Sequence, residues 1–335
     1  MATIKDVAAF AGVSASTVSR ALNRGEGSEE VLRRVQHAVR VLDYQVSESA
    51  RGLKHQQNNI VGVIAADISN PPTSQMFHGV ARIMHSHRMT VMLGNSGALS
   101  SRELELIDMF GRQRVAGIVY AGRGVTEEVA AALNEFPASV VVAAQESRVT
   151  RWPMVVFANY RASYEVTTTL IDHGHRKIGF ISAPLDDQQA GRRRQRGHLD
   201  ALEAASIFAP QGYLQYAEFS VASGYAAQDR MLDEAPEPPT AVATGSDLIA
   251  IGAMRCLRDR GLRIPRDVSV FGFDDIPVCS KLVPSLSSVW LDFFGLGEVC
   301  ADLLFRMIGR GNTQVEQVVL SHTMKIRESI RDIGV

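Results

Sequence analysis

Nowhere in these 335 residues does an apolar run approach the roughly eighteen needed to cross a bilayer, and the N-terminus has no basic-then-apolar signal profile. Membrane insertion and export are therefore not expected, and the chain reads as cytoplasmic. Cysteine is scarce. Cys256, Cys279 and Cys300 are odd in number, far apart and outside any CxxC pair, which argues against a disulfide framework or a zinc knuckle and leaves reduced, mostly buried thiols. Charge of one sign is also missing. The formal net charge is −1: residues 1–57 carry eight Lys/Arg against six Asp/Glu, and the remainder 27 against 30. One copy of so weakly basic an N-terminus would hold a polyanion poorly.

Catalytic motifs fail as well. Gly117, Gly122 and Gly124 have the look of a phosphate loop, yet Arg123 replaces the Walker lysine and no hydroxyl residue follows for magnesium. In Gly94-Asn95-Ser96-Gly97 the second glycine comes one residue early for a nucleophile elbow. His85/His87 and His173/His175 are spaced i, i+2, which suits a metal on a strand but not on the helix ends where they fall. No enzyme activity, cofactor or metal site is expected.

What the chain does have begins at residue 3. In TIKDVAAFAGVSASTVSRAL, Thr3 can cap a helix with Asp6 in its first turn, and Ile4, Val7, Ala8 and Ala11 share one face. Gly12 stops that helix, and Ser14 caps a second one, with Val13 and Val18 as a hydrophobic staple. Val18 and Leu22 then pack inward, which turns Ala15, Ser16, Ser19 and Arg20 outward as a short, hydrogen-bonding face. This is the pattern of a helix-turn-helix, whose second helix lays its N-terminal residues against base edges in the major groove. Ser28 opens a third helix whose stripe of Val31, Val35, Ala38, Val39 and Leu42 can close a three-helix head. Arg33, Arg34 and Arg40 lie mostly off that stripe and read as a solvated face.

A polar linker follows, in which Ser47 could cap a short helix ending near Lys54. Gly52 and its shortness make such a helix marginal in isolation. From Asn59 the texture becomes alternating apolar strands and amphipathic helices. Strands are expected at 60–66, 90–93, 117–120, 140–144, 154–157, 177–182, 241–244 and 269–273, with helices near 74–87, 101–113, 126–135, 160–173, 192–205, 222–234 and 247–260. Two successive βα runs predict two doubly wound α/β domains, with a small molecule bound where the strand C-termini of both face a cleft.

Five stretches in order resemble one family: TIKDVAAFAGVSASTVSRALN at 3–23, SARGL at 49–53, VGVIAADISNP at 61–71, HGHRKIGFISAP at 173–184 and DVSVFGFDD at 267–275. The chain resembles the LacI/GalR (lac-repressor/galactose-repressor) family of bacterial transcription regulators over essentially its whole length. The resemblance implies an α/β protein with a helix-turn-helix head at 1–45, a hinge helix and linker at 46–58, and two subdomains of periplasmic-binding-protein type. These would comprise 59–157 with 289–320, and 158–288 with 321–335. It further implies a homodimer on double-stranded, pseudo-palindromic operator DNA, most often a repressor of carbohydrate genes. The other reading is a cytoplasmic sugar-binding or sugar-modifying protein with an accessory helical head.

Carried over residue by residue, the resemblance places Ala15, Ser16 and Arg20 at base-reading positions and Thr3, Ser14, Thr17, Ser19 and Asn23 at phosphates. Ala50 and Leu53 match minor-groove residues of the hinge, with Leu53 the wedge. Val46-Ser47 departs from the family's usual Pro-Asn, and Glu48 puts an acid near phosphates. The family's effector cleft maps onto Asn70, Pro72, Thr73, Phe157, Arg194, Phe219, Ser246, Asp274 and Phe293. Arg194 can donate a forked pair of hydrogen bonds, Asp274 can accept from hydroxyls, and the phenylalanines supply flat walls for a sugar-like effector. Pro72-Thr73, Ser246 and Ala144 depart from common family residues. With few acceptors beside Arg192-Arg193-Arg194-Gln195-Arg196, they suggest an anionic effector, a sugar acid or sugar phosphate.

Overall fold

The computed structural model describes residues 2–44, 59–147, 151–310 and 316–334, except the side chains of Asn23, Arg24, Gly309 and Arg310. They fall into two units, Met1–Asn58 and Asn59–Val335.

The first unit contains three helices. Helix α1, Ile4–Ala11, opens with a capping box: Thr3 accepts from the Asp6 amide, and Asp6 Oδ2 accepts from the Thr3 amide at 2.7 Å. The bond from the Thr3 amide first, and one from the Thr3 hydroxyl to the same Oδ2 (2.7 Å), hold the Asp6 carboxyl below its usual pKa. Gly12 (φ 62°) ends the helix in the left-handed conformation, which costs a glycine no Cβ clash. Helices α2, Ala15–Arg24, and α3, Glu29–Val41, are capped by Ser14 and Ser28. Val7, Ala8, Ala11, Val18, Val35 and Ala38 form the core, with Val13 and Leu22 against it. Arg34 is not the plain solvated charge its sequence context implied. Its Nη2 donates to the carbonyls of Ala11 and Gly12 and so clamps the α1–α2 turn from the third helix.

The second unit holds two six-stranded sheets. The first lobe is built on β1 (Ile60–Ala65), β2 (Thr90–Asn95), β3 (Gly117–Ala121), β4 (Ser139–Ala143) and β5 (Met154–Phe157), with helices α4 (Pro71–Ser86), α5 (Ser100–Arg112) and α6 (Glu127–Glu135) between them. The second lobe follows with α7 (Asn159–Asp172), β6 (Ile178–Ser182), a π-helical turn at Gln188–Arg193 and α8 (Arg194–Ala204). It continues through β7 (Leu214–Tyr216), α9 (Val221–Glu234), β8 (Ala241–Thr244), α10 (Asp247–Asp259), β9 (Ser269–Asp274) and β10 (Ser287–Leu291). The chain then returns to the first lobe through α11 (Phe293–Arg310) and β11 (Gln317–Leu320), and ends in the second with β12 (His322–Lys325).

The sheet orders match strand for strand: β2-β1-β3-β4-β5-β11 and β7-β6-β8-β9-β10-β12. All pairings are parallel except β10 with β12. Parallel strands covered by helices on both faces are mostly apolar, and β8 (AVAT) and β9 (SVFGFD) are buried along their whole length. The chain changes lobe three times, after Phe157, after Leu291 and between Leu320 and His322. The sequence boundary at 289 falls inside β10, whose Val289–Leu291 segment pairs with β12, so the return comes three residues later. Helices α4 and α11 meet glycine to backbone. A Cβ on Gly297 would lie 2.0 Å from the Met76 carbonyl oxygen, and one on Gly79 2.1 Å from that of Phe294.

Candidate functional site

Both sheets reverse strand order at one place, between β1 and β3 and between β6 and β8. In open α/β sheets that reversal leaves a crevice at the carboxyl ends of the strands. A cavity of about 350 Å³ lies there, between the lobes. Asn70, Pro72, Thr73, Phe157, Arg194, Phe219, Asp274 and Phe293 all line it. Pro72 and Thr73 open α4, and Asn70 holds its N-cap position without using its side chain as a cap. Phe157 and Phe293, at two of the lobe crossings, pack edge to face with centroids 4.9 Å apart. Ser246 is absent from the lining. It is 2 % exposed and caps α10, accepting from the Ile249 amide.

Arg194 is the hub. Its guanidinium is almost fully buried, 3.7 Å above the centre of the Phe273 ring. Nε donates to Asn159 Oδ1 (2.8 Å), and Nη1 donates to the Gly245 carbonyl (2.7 Å) and to Asp274 Oδ1 (3.1 Å). No bond from Nη2 is present among the described residues, which leaves that end of the fork for a ligand. Asp274 has φ 106°, a conformation that side-chain-bearing residues adopt at a cost and that clusters at binding sites. Burial raises the Asp274 carboxyl although Arg194 pulls it down, and burial, with the charge of Asp274, raises Asp247. Asp187 lies beside them, accepting from the amides of Gln189 and Ala190 to cap the π-helical turn, with its carboxyl raised by burial.

The charge of the cavity runs against an anionic ligand. Of the basic run only Arg194 lines it, while Arg193 pairs with Glu146 (2.7 Å) and Arg196 with Asp200 (2.8 Å). Asp67, Asp187, Asp274 and Glu218 face Arg123 and Arg194. Nor is Gly122-Arg123-Gly124 a phosphate cradle. The buried carboxylate of Glu103 takes the Arg123 amide (3.1 Å) and the Tyr120 hydroxyl (2.7 Å). Asn159, Asp187, Gln145 and Gln189 were missed in sequence, because single amides and acids at element ends and in turns carry no periodic signal.

On α2, Ser16 and Arg20 stand exposed one helical turn apart, whereas Ala15, Thr17 and Ser19 are half-buried, Ala15 against the head core. Ser14 Oγ is bonded to Ser16 Oγ (2.7 Å) and Thr17 Oγ1 (2.8 Å), and Thr3 Oγ1 to Asp6. Asn23 lies in α2 with its side chain outside the described atoms, and Ala50 and Leu53 lie outside the described residues. Among the described residues no helix is long and apolar enough to cross a membrane, and no cluster of His, Cys, Asp or Glu is arranged to hold a metal.

Residues 3–47 match the model of bacterial regulatory proteins of the lacI family, and 167–330 that of a periplasmic binding protein-like domain. Catabolite control protein A of Priestia megaterium is 31% identical over 98% of this chain and 99% of its own. The repressor PurR of Escherichia coli is 30% identical over 99% and 98%. The chain belongs to the LacI family. It is a DNA-binding transcriptional regulator with a helix-turn-helix head and a ligand-responsive body. The regulator CelR in complex with cellobiose superposes with a TM-score of 0.75 at 27% identity, over 98% of this chain and all of that one. The lac repressor dimer bound to operator and the anti-inducer ONPF does so at 0.87 and 24%, over 98% and 99%, a likeness of fold.

Proposed function

We propose that this regulator is a repressor of carbohydrate-use genes that binds a pseudo-palindromic operator as a homodimer in the cytoplasm and responds to a neutral sugar-like effector in the inter-lobe cavity. The observation that carries the reading is Arg194. It is buried, braced by Asn159, Gly245, Asp274 and Phe273, and left with one end of its fork toward a cavity walled by Phe157, Phe219 and Phe293. Such a group holds vicinal oxygens in a fixed orientation while the rings pack on the apolar face of a sugar. Asn70 and Thr73 supply further polar contacts, and Ser246 acts through α10, not on the ligand. The complex of CelR with cellobiose, from a relative at 27% identity, supports a sugar over other small polar molecules.

On DNA, Ser16 and Arg20 read bases, helped by Ala15 at the head of α2. Thr3, Ser14, Thr17, Ser19 and Asn23 contact phosphates, and Ala50 and Leu53 enter the minor groove. The reading is of a regulator without catalysis, since its relatives are regulators and no nucleophile–base pair lines the cavity among the described residues. Effector binding shifts the population of lobe arrangements and so the spacing of two heads. A coupling of about 1–3 kcal/mol changes operator occupancy about 5- to 150-fold. The test is to select genomic fragments with the purified protein, then titrate the best duplex with and without sugars at fixed salt. Preference for one duplex, changed by a sugar, is expected. Equal binding to selected and random duplexes discards the proposal.

A further inference from the structure

We infer that the cavity selects a neutral, hydroxyl-bearing ligand through Gln145 and Gln189, one glutamine from each lobe, which present an acceptor and a donor that no protein group satisfies. The inference rests on reading the cavity as the effector site.

Both side chains line the cavity and are nearly inaccessible to solvent, at 4 % and 3 % exposure. Gln189 Nε2 and Gln145 Oε1 are buried without a hydrogen-bond partner. Their polarity follows from their neighbours. Arg194 can only donate, so the Asn159 atom that meets its Nε is Oδ1. Asn159 Nδ2 then donates to Gln189 Oε1 at 2.9 Å, which leaves the Gln189 nitrogen as the end without a partner. On the other lobe Ala144 (φ 56°) turns the chain sharply after β4, and the Gln145 amide lies against Asp187, lowering that carboxyl's pKa against the effect of burial. Gln145 Oε1 has no partner, so the group that meets Asp187 is the amide nitrogen.

A buried polar atom without a partner costs free energy, so a ligand that supplies both missing bonds gains by that amount. A hydroxyl group donates and accepts, and a polyol satisfies both glutamines. A carboxylate or phosphate gives Gln145 Oε1 nothing to accept and adds charge beside Asp187 and Asp274. An apolar ligand leaves both atoms unmet. Gln145 follows β4 and Gln189 sits in the turn after β6, so a ligand that engages both also fastens the two lobes together.

The experiment is calorimetry on the full-length protein with D-ribose, D-glucose and cellobiose, and with gluconate and glucose 6-phosphate. Binding of none of these overturns the effector-site reading and this inference with it. Given a neutral sugar that binds, Gln145→Met removes the acceptor, and Gln189→Glu removes the donor while keeping an oxygen for Asn159. Each is expected to weaken that sugar about tenfold or more. Gln145→Met also removes the amide from Asp187 and Gln189→Glu buries a charge, so both variants should lower the ligand-free melting temperature, and deoxy analogues of the bound sugar on the wild-type protein separate the ligand contact from that loss. Affinity within about twofold of wild type, or tighter binding of gluconate or glucose 6-phosphate, overturns the glutamine assignment alone. Should either variant fail to fold, deoxy analogues of the bound sugar replace it: an affinity loss at two or more hydroxyl positions supports the inference, and a flat series overturns it.

Discussion

Arg123 Nε lies 2.8 Å from Asp186 Oδ2, so the loop after β3 of one lobe is held to the loop after β6 of the other at the cavity wall. Nη2 of the same guanidinium reaches Glu218 at 3.1 Å, and a second pair, Glu146 with Arg193, spans the same two lobes. Beneath the loop, Glu103 and Tyr120 fix its backbone.

Arg123→Gln is therefore expected to loosen the closed arrangement. Both acids are more than half exposed, so the ion pairs are worth about 0.5–1 kcal/mol, and the effector should bind about two- to fivefold more weakly. Stopped-flow measurement should place most of that loss in faster dissociation, and the loss should shrink at high salt.

Arg194→Met should be far more damaging. It leaves the Asp274 carboxylate and the Gly245 carbonyl without their shared donor, and a stranded buried charge costs about 3–5 kcal/mol. Urea denaturation measures it. Arg194→Lys should also lose the effector response, since one ammonium cannot reproduce a planar fork bonded to Asn159, Gly245 and Asp274.

Stability should depend on pH through the buried acids. Burial, with the charge of Asp274, lifts Asp247 to about 7, and burial lifts Asp274 to about 6, against about 3.8 for a free aspartate. Between these values the folded protein binds more protons than the unfolded chain, so this contribution to stability falls as pH rises from 4 to 7. His198 acts the other way, because burial lowers it to about 3 and charging it in acid favours unfolding. Comparing wild type with Asp247→Asn cancels that opposing effect. The variant's stability relative to wild type should improve by about 1–2 kcal/mol from pH 5 to pH 8 in urea titrations. An unchanged difference would show that Asp247 does not titrate in this range.

In the head, two arginines should separate by kind of defect. Arg20→Ala should lower discrimination between the selected duplex and random DNA by about 1–3 kcal/mol. Arg34→Ala, which removes the clamp on Ala11 and Gly12, should weaken all duplexes alike and lower the melting point of the head. Fluorescence anisotropy with both duplexes distinguishes the outcomes.

The head was legible because its determinants are local: the Thr3 and Ser14 caps, Gly12 and the Val13/Val18 staple lie within sixteen residues. Strands β1 to β6, β8 and β9 were legible as apolar runs. Strand β10 was not, since its buried Ser287 and Ser288 are polar and are satisfied by Ser329, Arg327 and Asp247, remote in sequence. Helix α11 was not read from the sequence; glycines such as Gly295 and Gly297 weaken a helical pattern, yet Gly297 lets α4 pack against its backbone. That Arg194, Phe157, Phe219 and Phe293 line one cavity was anticipated by the family match, not by their local sequence. Ser246 was misplaced because a cap and a ligand contact look alike in sequence, and Arg34 because its carbonyl partners lie 22 or more residues away.

The three lobe crossings mean that neither α/β lobe is a continuous piece of polypeptide. A fragment ending at Phe157 lacks β11 and the α11 cover, and one starting at Asn159 carries α11 with no first sheet to lie on. The lobes must therefore mature together, and a protease that nicks one strap leaves two others holding the halves in register. Three straps side by side also restrict the halves to bending and twisting about one common line, so binding energy gathered in the cavity is delivered as a directed movement.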